Sequence, residues 1–238
     1  MVRAFRPLRP AVDREPSTSL PARAPAYTPS VKGTFITLEG PEGAGKTVLA
    51  RRLADALAAR GHTVRLTREP GGTSLGERLR AILLERAGDA ALSIEPRADA
   101  LLFNAARAQL VAEVIAPALD AGEVVLCARF ADSTVAYQGY GAGLPIEELR
   151  AIERVATGGL TPDRTILLDV APDVGMRRKS PDAHNRFESG FDLDFHRRVR
   201  AGFLELAGEE PDRWRVVDST RHVDPVFEDV LAAALDIL

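Results

Sequence analysis

Eight residues, Gly40, Pro41, Glu42, Gly43, Ala44, Gly45, Lys46 and Thr47, restrict what this chain can become more than any other stretch. They follow TFITLE (34–39), a short β-branched and apolar run that reads as a strand. They precede VLARRLADALAARG, where Leu49, Leu53 and Leu57 share one helical face and Gly61 stands at a C-cap position. Strand, glycine-rich turn and helix in that order satisfy G-x-x-x-x-G-K-[ST], the pattern of a phosphate-binding loop. Its glycines let the backbone wrap so that successive N–H groups converge on an anion, and the helix N-terminus adds positive potential. Lys46 then reaches the outer phosphates as a catalytic cation, and the Thr47 hydroxyl is the expected ligand of Mg²⁺. With three lysines and 19 glycines in 238 residues, a chance match is on the order of one in several hundred. No N/T-K-x-D guanine-reading motif accompanies the loop, which argues against a GTPase.

Downstream, strand and helix signals alternate. TVRLTR (63–68) is followed by the breaker EPGGT (69–73), and a long helical stretch begins near Glu95 with Pro96 in its first turn. EVVLCA (123–128), RTILLDV (164–170) and WRVVD (214–218) read as further strands, with helices near 145–157, 191–207 and 224–237. This alternation predicts an α/β fold of P-loop NTPase type: three layers, with a five-stranded parallel sheet flanked by helices. Ligands in such folds lie beyond the carboxyl ends of the strands, and every unusual motif here falls at such an end.

Composition narrows the partners. A formal charge of −3 gives no basic face for nucleic acid, and no apolar stretch approaches the length needed to span a bilayer. The single cysteine, Cys127, has neither a disulfide partner nor a metal-binding neighbour, so it reads as a buried strand thiol in a cytoplasmic, reducing setting. His62, His184, His196 and His222 are scattered and receive no role. Residues 1–30 are crowded with prolines and arginines and are expected to be a disordered tail ahead of a single domain over 31–238. An organelle transit peptide and a misplaced start codon are rival readings of the tail; Asp13, Glu15 and the prolines spoil the amphipathic helix a transit peptide needs.

From about Gly33 onward the chain resembles the thymidylate kinase family. The stretches that carry the likeness are FITLEGPEGAGKT, TREPGGT (67–73), LLFNAARAQL (101–110), PAL-x-x-G (117–122), RFADSTVAYQG (129–139) and FE-x-G-FDLDFHRRVRAGFLELA (187–207). The resemblance implies a nucleoside monophosphate kinase with a short lid, ATP as donor, Mg²⁺, dTMP as acceptor and a homodimer. It makes Phe103 the stacking platform for thymine and Arg107, one helical turn on, a donor to a base carbonyl; the bland alternative is a core ring and a solvated charge. It assigns Arg129 to the acceptor phosphate, which a planar guanidinium fork suits. Ser133, Thr134 and Gln138 become contacts to the pyrimidine, Tyr137 the residue that crowds the sugar 2′ position, and Glu42 a partner of the 3′-hydroxyl. Arg68 and Glu69 fall near the acceptor phosphate, with Glu69 joining Thr47 at the metal, although a surface ion pair also explains that dipeptide. Gly43 after Glu42 resembles the bacterial type, in which the lid MRRKSPDAHNRFESG (176–190) delivers positive charge. Among Arg177, Arg178, Lys179 and Arg186, the residues Arg178 and Arg186 are the expected catalytic pair, against the bland reading of a solvated basic loop.

Two positions depart from the family. Ala128 stands where an aspartate usually precedes the arginine after the third strand, and Asn185 stands where the lid commonly has aspartate. Losing an outer metal partner costs about 10–100-fold, so the expectation is a kinase whose rate suffers more than its binding. The rival readings are a silent nucleotide-binding homologue and a kinase for another pyrimidine monophosphate.

Overall fold

The computed structural model describes residues 33–85, 93–178, 187 and 190–238. The expectations for residues 1–30 and for Lys179, Asn185 and Arg186 lie outside them. Five strands, β1 (Thr34–Glu39), β2 (Val64–Arg68), β3 (Val124–Ala128), β4 (Arg164–Asp169) and β5 (Trp214–Asp218), form one parallel sheet in the order β2-β3-β1-β4-β5. All five match the runs read from the sequence to within a residue at each end. The register aligns Leu38 and Arg68 with Ala128, so β1, β2 and β3 finish nearly level and deliver their following loops to one place.

Alternation along β1 sorts the two faces. Ile36 and Leu38 meet α1 (Lys46–Ala58) and the C-terminal helix α9 (Val223–Leu235) through Leu49, Leu53, Leu57, Val226 and Val230. Leu53 and Leu57 are wholly buried, and each such burial stabilises by roughly 1.5–3 kcal/mol. Phe35 points the other way, onto Leu110, Ile115, Val125 and Phe130. Thr37 and Thr165 share a buried hydroxyl contact of 2.9 Å on the same side, where Arg213 also reaches Thr165 and Asp132 at 2.7 Å. Thr37, Thr165, Asp132 and Arg213 thus satisfy one another, as a buried cluster requires.

The long helix begins as expected: Glu95 caps α3 (Pro96–Leu110), its carboxylate accepting from the Arg97 and Ala98 amides. The helix continues through a π turn (Val111–Ile115) into α4 (Ala116–Asp120). Gly61 takes a left-handed conformation (φ 92°) after α1, and helices α6 (Ile146–Thr157) and α8 (Leu193–Glu209) lie where periodicity puts them. Three short pieces were not legible. Helix α2 (Ser74–Leu83) starts straight after the EPGGT breaker, where the Thr73 hydroxyl accepts from the Gly76 amide and converts the breaker into a cap. Helix α5 (Ala131–Thr134) widens at once into a π-helical stretch, Val135–Gly141, and α7 (Pro172–Arg177) is a single short turn with proline at its start.

Candidate active site

Backbone builds the donor side. At Gly40 (φ 138°) a Cβ would lie 2.4 Å from the Leu168 carbonyl, and at Gly43 (φ 71°) it would lie 1.9 Å from the Gly175 carbonyl. The loop therefore threads between β4 and α7 only with glycine at both points. Gly45 is the left-handed N-cap of α1. The buried Lys46 curls back over its own loop, its Nζ donating to the carbonyls of Gly40 (2.8 Å) and Pro41 (2.7 Å). Ser219, just past β5, ties the loop from behind by donating to the Ala44 carbonyl at 2.8 Å. A cavity bordered by Gly43, Ala44, Thr47 and Val48 opens toward Arg178, Arg221 and His222. Arg178 is exposed there and donates to the carbonyls of Ser219 (2.8 Å) and Thr220 (3.2 Å), whereas Arg177 pairs with Asp173 at the surface.

A second pocket adjoins Lys46 and Thr47, and side chains build it. Arg129 stands at its centre with φ 71°, the left-handed region, at a cost of order 1–3 kcal/mol for a non-glycine residue. The conformation is held from several sides. The Arg129 amide donates to Leu38, and the guanidinium reaches the Gly40 carbonyl (3.1 Å), Ser133 Oγ (3.1 Å), Glu42 Oε1 (2.7 Å) and the Tyr137 hydroxyl (3.0 Å). Burial alone disfavours its charge, but Tyr137, Glu42 and Glu39 outweigh that and push its pKa upward. Burial likewise raises the Tyr137 phenol, which stays protonated and donates to Glu42 Oε1 at 3.1 Å. Glu42 thus meets Arg129 and Tyr137, 87 and 95 positions further along the chain, in one knot that Ser133 completes.

Beneath the knot lies Glu39, a wholly buried acid to which the sequence reading gave no role. It accepts from the Phe130 amide at 2.7 Å and from Ser133 Oγ at 2.6 Å. Burial, then the neighbouring Asp132 charge, lifts its pKa to about 7. The signal was present in its place as the last residue of the strand entering the loop; its burial was not.

Glu69 and Arg107 come together as a buried pair. Arg107 Nη2 meets Glu69 Oε2 at 2.7 Å, Nε reaches both carboxylate oxygens, and further bonds run to Asn104, Thr134 and the Phe130 carbonyl. Burial disfavours the guanidinium, and the Glu69 charge more than restores it. Arg107 is therefore no solvated helix charge, and one Nη1 hydrogen remains outside these bonds. Glu69, expected at the metal, already has both oxygens engaged by Arg107. Arg68 lines the pocket and pairs with Glu77 at 2.9 Å. Phe103 is half-buried on the pocket wall with Thr134 and Gln138. Ala128 is on the same wall, and its carbonyl accepts from the Glu69 amide at 3.0 Å.

Arg80 and Phe187 are pocket residues to which the sequence reading gave no role. Arg80, on the unrecognised α2, lies half-buried at the pocket with Nη1 donating to the Pro70 carbonyl at 2.7 Å. Burial, then the Arg68 charge, lowers its pKa. Phe187 packs edge-on to Tyr137 (5.4 Å between centroids) and faces Phe103 at 6.1 Å, closing the aromatic side. Cys127 is buried as expected, with its thiol pKa pushed well up by burial.

A parallel sheet whose first strand turns through a glycine loop into a helix, with cationic pockets on both sides of that loop, defines a P-loop phosphate-binding protein built for two substrates. The chain belongs to the thymidylate kinase family: the family model for thymidylate kinase matches residues 38–230. The thymidylate kinase of Deinococcus radiodurans is 54% identical over 206 residues, covering 85% of this chain and 96% of the relative. That of Nitratidesulfovibrio vulgaris is 49% identical over 212 residues, covering 86% and 97%. The crystal structure of thymidylate kinase from Ehrlichia chaffeensis superimposes with a TM-score of 0.68 at 32% identity, covering 85% of this chain and 98% of that one.

Proposed function

We propose that this chain transfers the γ-phosphoryl group of ATP to dTMP, giving dTDP and ADP. An oxygen of the dTMP phosphate attacks the γ-phosphorus while the bond to the β–γ bridging oxygen breaks and leaves with ADP. Such a transfer asks the protein for alignment and positive charge rather than covalent chemistry. The observation that carries the reading is the Arg129 knot, which joins the donor loop at Gly40 and Glu42 to the acceptor pocket at Tyr137. In this reading Lys46 and the loop amides grip the donor phosphates, and Arg178 borders the far end of the donor cavity. Arg129, Arg68 and Arg80 meet the acceptor phosphate. Phe103 and Phe187 flank the base, Arg107 and Gln138 read its edge, and Tyr137 with Glu42 selects the deoxyribose.

The donor set bears on the expected Mg²⁺. Ala128 offers no carboxylate, Glu69 is engaged by Arg107, and the described residues contain no cluster of three or more acidic, histidine or cysteine side chains suited to a metal. That set fits an ion carried in on the triphosphate, with Thr47 as its protein ligand, since Mg²⁺ keeps phosphates and waters as most of its shell. When bound, the ion neutralises charge on the β- and γ-phosphates. A homodimer through helices is part of the same reading, supported by exposed Leu101 on α3 and Val155 on the adjoining α6. So is a cytoplasmic setting; among the described residues no helix is long and apolar enough to cross a membrane.

Initial rates of ADP release with ATP, Mg²⁺ and dTMP, dUMP, UMP or CMP test the assignment. dTMP is expected among the best acceptors; a chain that prefers a ribonucleotide, or releases no ADP with any of them, defeats it.

A further inference from the structure

Gln138 lies on the π-helical stretch after α5, 3% exposed, on the wall of the acceptor pocket. Its Nε2 donates to Asp99 Oδ2 at 2.8 Å, and Asp99 is itself only 5% exposed in the first turn of α3. A carboxylate offers only acceptors, so it selects the nitrogen end of the amide and turns the carbonyl end away. Among the described residues Gln138 Oε1 has no protein donor, yet it is not among their sealed and unsatisfied side-chain atoms. It is therefore open to the pocket.

We propose that Asp99 is a positioning residue for base selection, fixing the Gln138 amide so that an acceptor faces the pyrimidine; the inference rests on the reading that this pocket holds the base. Thymine and uracil present a donor, N3–H, between two carbonyls. Cytosine presents a bare N3 acceptor at that point and an amino group at C4. A carbonyl held toward the pocket pairs with the first pattern and opposes the second. The amide cannot simply turn over, because its oxygen would then face the Asp99 carboxylate. A site built to pair a polar group discriminates strongly against an analogue that leaves it unpaired, here about 10–100-fold. The Arg107 hydrogen left over from its bonds to Glu69 and Asn104 suits the carbonyl at C4, so part of the selection stands without Asp99.

The test uses dUMP and dCMP, which differ only along the N3–C4 edge, as competitors of dTMP in the full-length chain and in Asp99→Asn, Asp99→Ser and Gln138→Ala variants, with melting curves to verify folding. Asparagine and serine can donate as well as accept, which frees the glutamine to turn. The ratio of inhibition constants, dCMP over dUMP, is expected to fall roughly tenfold in at least one folded Asp99 variant. An unchanged ratio, including equal weakening of both competitors, assigns Asp99 a purely structural role and overturns the inference. Gln138→Ala separates the two levels: a raised KM for dTMP alongside unchanged Asp99 ratios defeats the Asp99 inference alone, whereas an unchanged KM defeats the placement of the base against Gln138 as well.

Discussion

The donor loop and the acceptor pocket share a boundary at Lys46 but are made differently. Gly40 to Thr47 is one continuous stretch whose work falls largely to main-chain groups, with glycines admitted where a Cβ would strike Leu168 or Gly175. The acceptor pocket gathers side chains from segments as far apart as Glu42 and Phe187, and its central contact joins residues 87 positions apart. A backbone cradle is set by local conformation and tolerates change around it. A convergent pocket depends on every strand end arriving level, so its charges must be held by one another until substrate arrives.

The largest effect expected from breaking this contrast is on the donor side. Lys46→Ala removes the one cation supplied by the loop itself, and kcat should fall by roughly 10³-fold with little change in the melting curve. A drop of less than tenfold in a coupled ADP assay would mean that the loop amides suffice. On the acceptor side, Ala128→Asp returns a carboxylate to the end of β3 and should raise kcat by about tenfold. No gain over a range of Mg²⁺ concentrations would show that the pocket has no use for that group.

The buried acids give a pH signature. Burial raises Glu39 and Glu153 from 4.5 to about 7, so each binds its proton more tightly in the folded chain than in the unfolded one. Their contribution to stability is complete below the unfolded value of about 4.5 and is lost as pH rises through about 7. Melting temperature should decline across that window, and Glu39→Gln should flatten the decline while Glu153 sustains the remainder. An identical slope in the variant would place the Glu39 proton elsewhere. The smallest effect belongs to the exposed pair of Arg65 and Glu123, at 3.0 Å beside the sheet edge. Arg65→Ala should cost about 0.2–1 kcal/mol in denaturant unfolding and leave turnover alone; a larger loss would show that this edge supports the pocket.

Much of the framework could be read in advance. Five strands fall on the apolar runs, and Leu49, Leu53 and Leu57 are buried together, because periodicity records which face meets the sheet. Helix α2 was missed because EPGGT looks like an ending, and only the Thr73 cap shows it to be a beginning. Arg80 was lost with it. Arg107 and Glu69 were both picked out, yet their mutual pairing was not foreseen, since nothing local connects residues 38 positions apart.

The sequence by itself determined the order of strands and helices, the phosphate loop and the side-chain types available for nucleotide chemistry. These are consequences of short-range sterics, glycine conformations and apolar period. Tertiary structure alone decided the partners: Glu39 beneath Ser133, Asp99 holding Gln138, Arg129 strung between Glu42 and Tyr137. The reason is physical. A buried hydrogen bond or charge is satisfied by whichever group the packed sheet brings within about 3 Å, and that proximity exists only once the chain has folded.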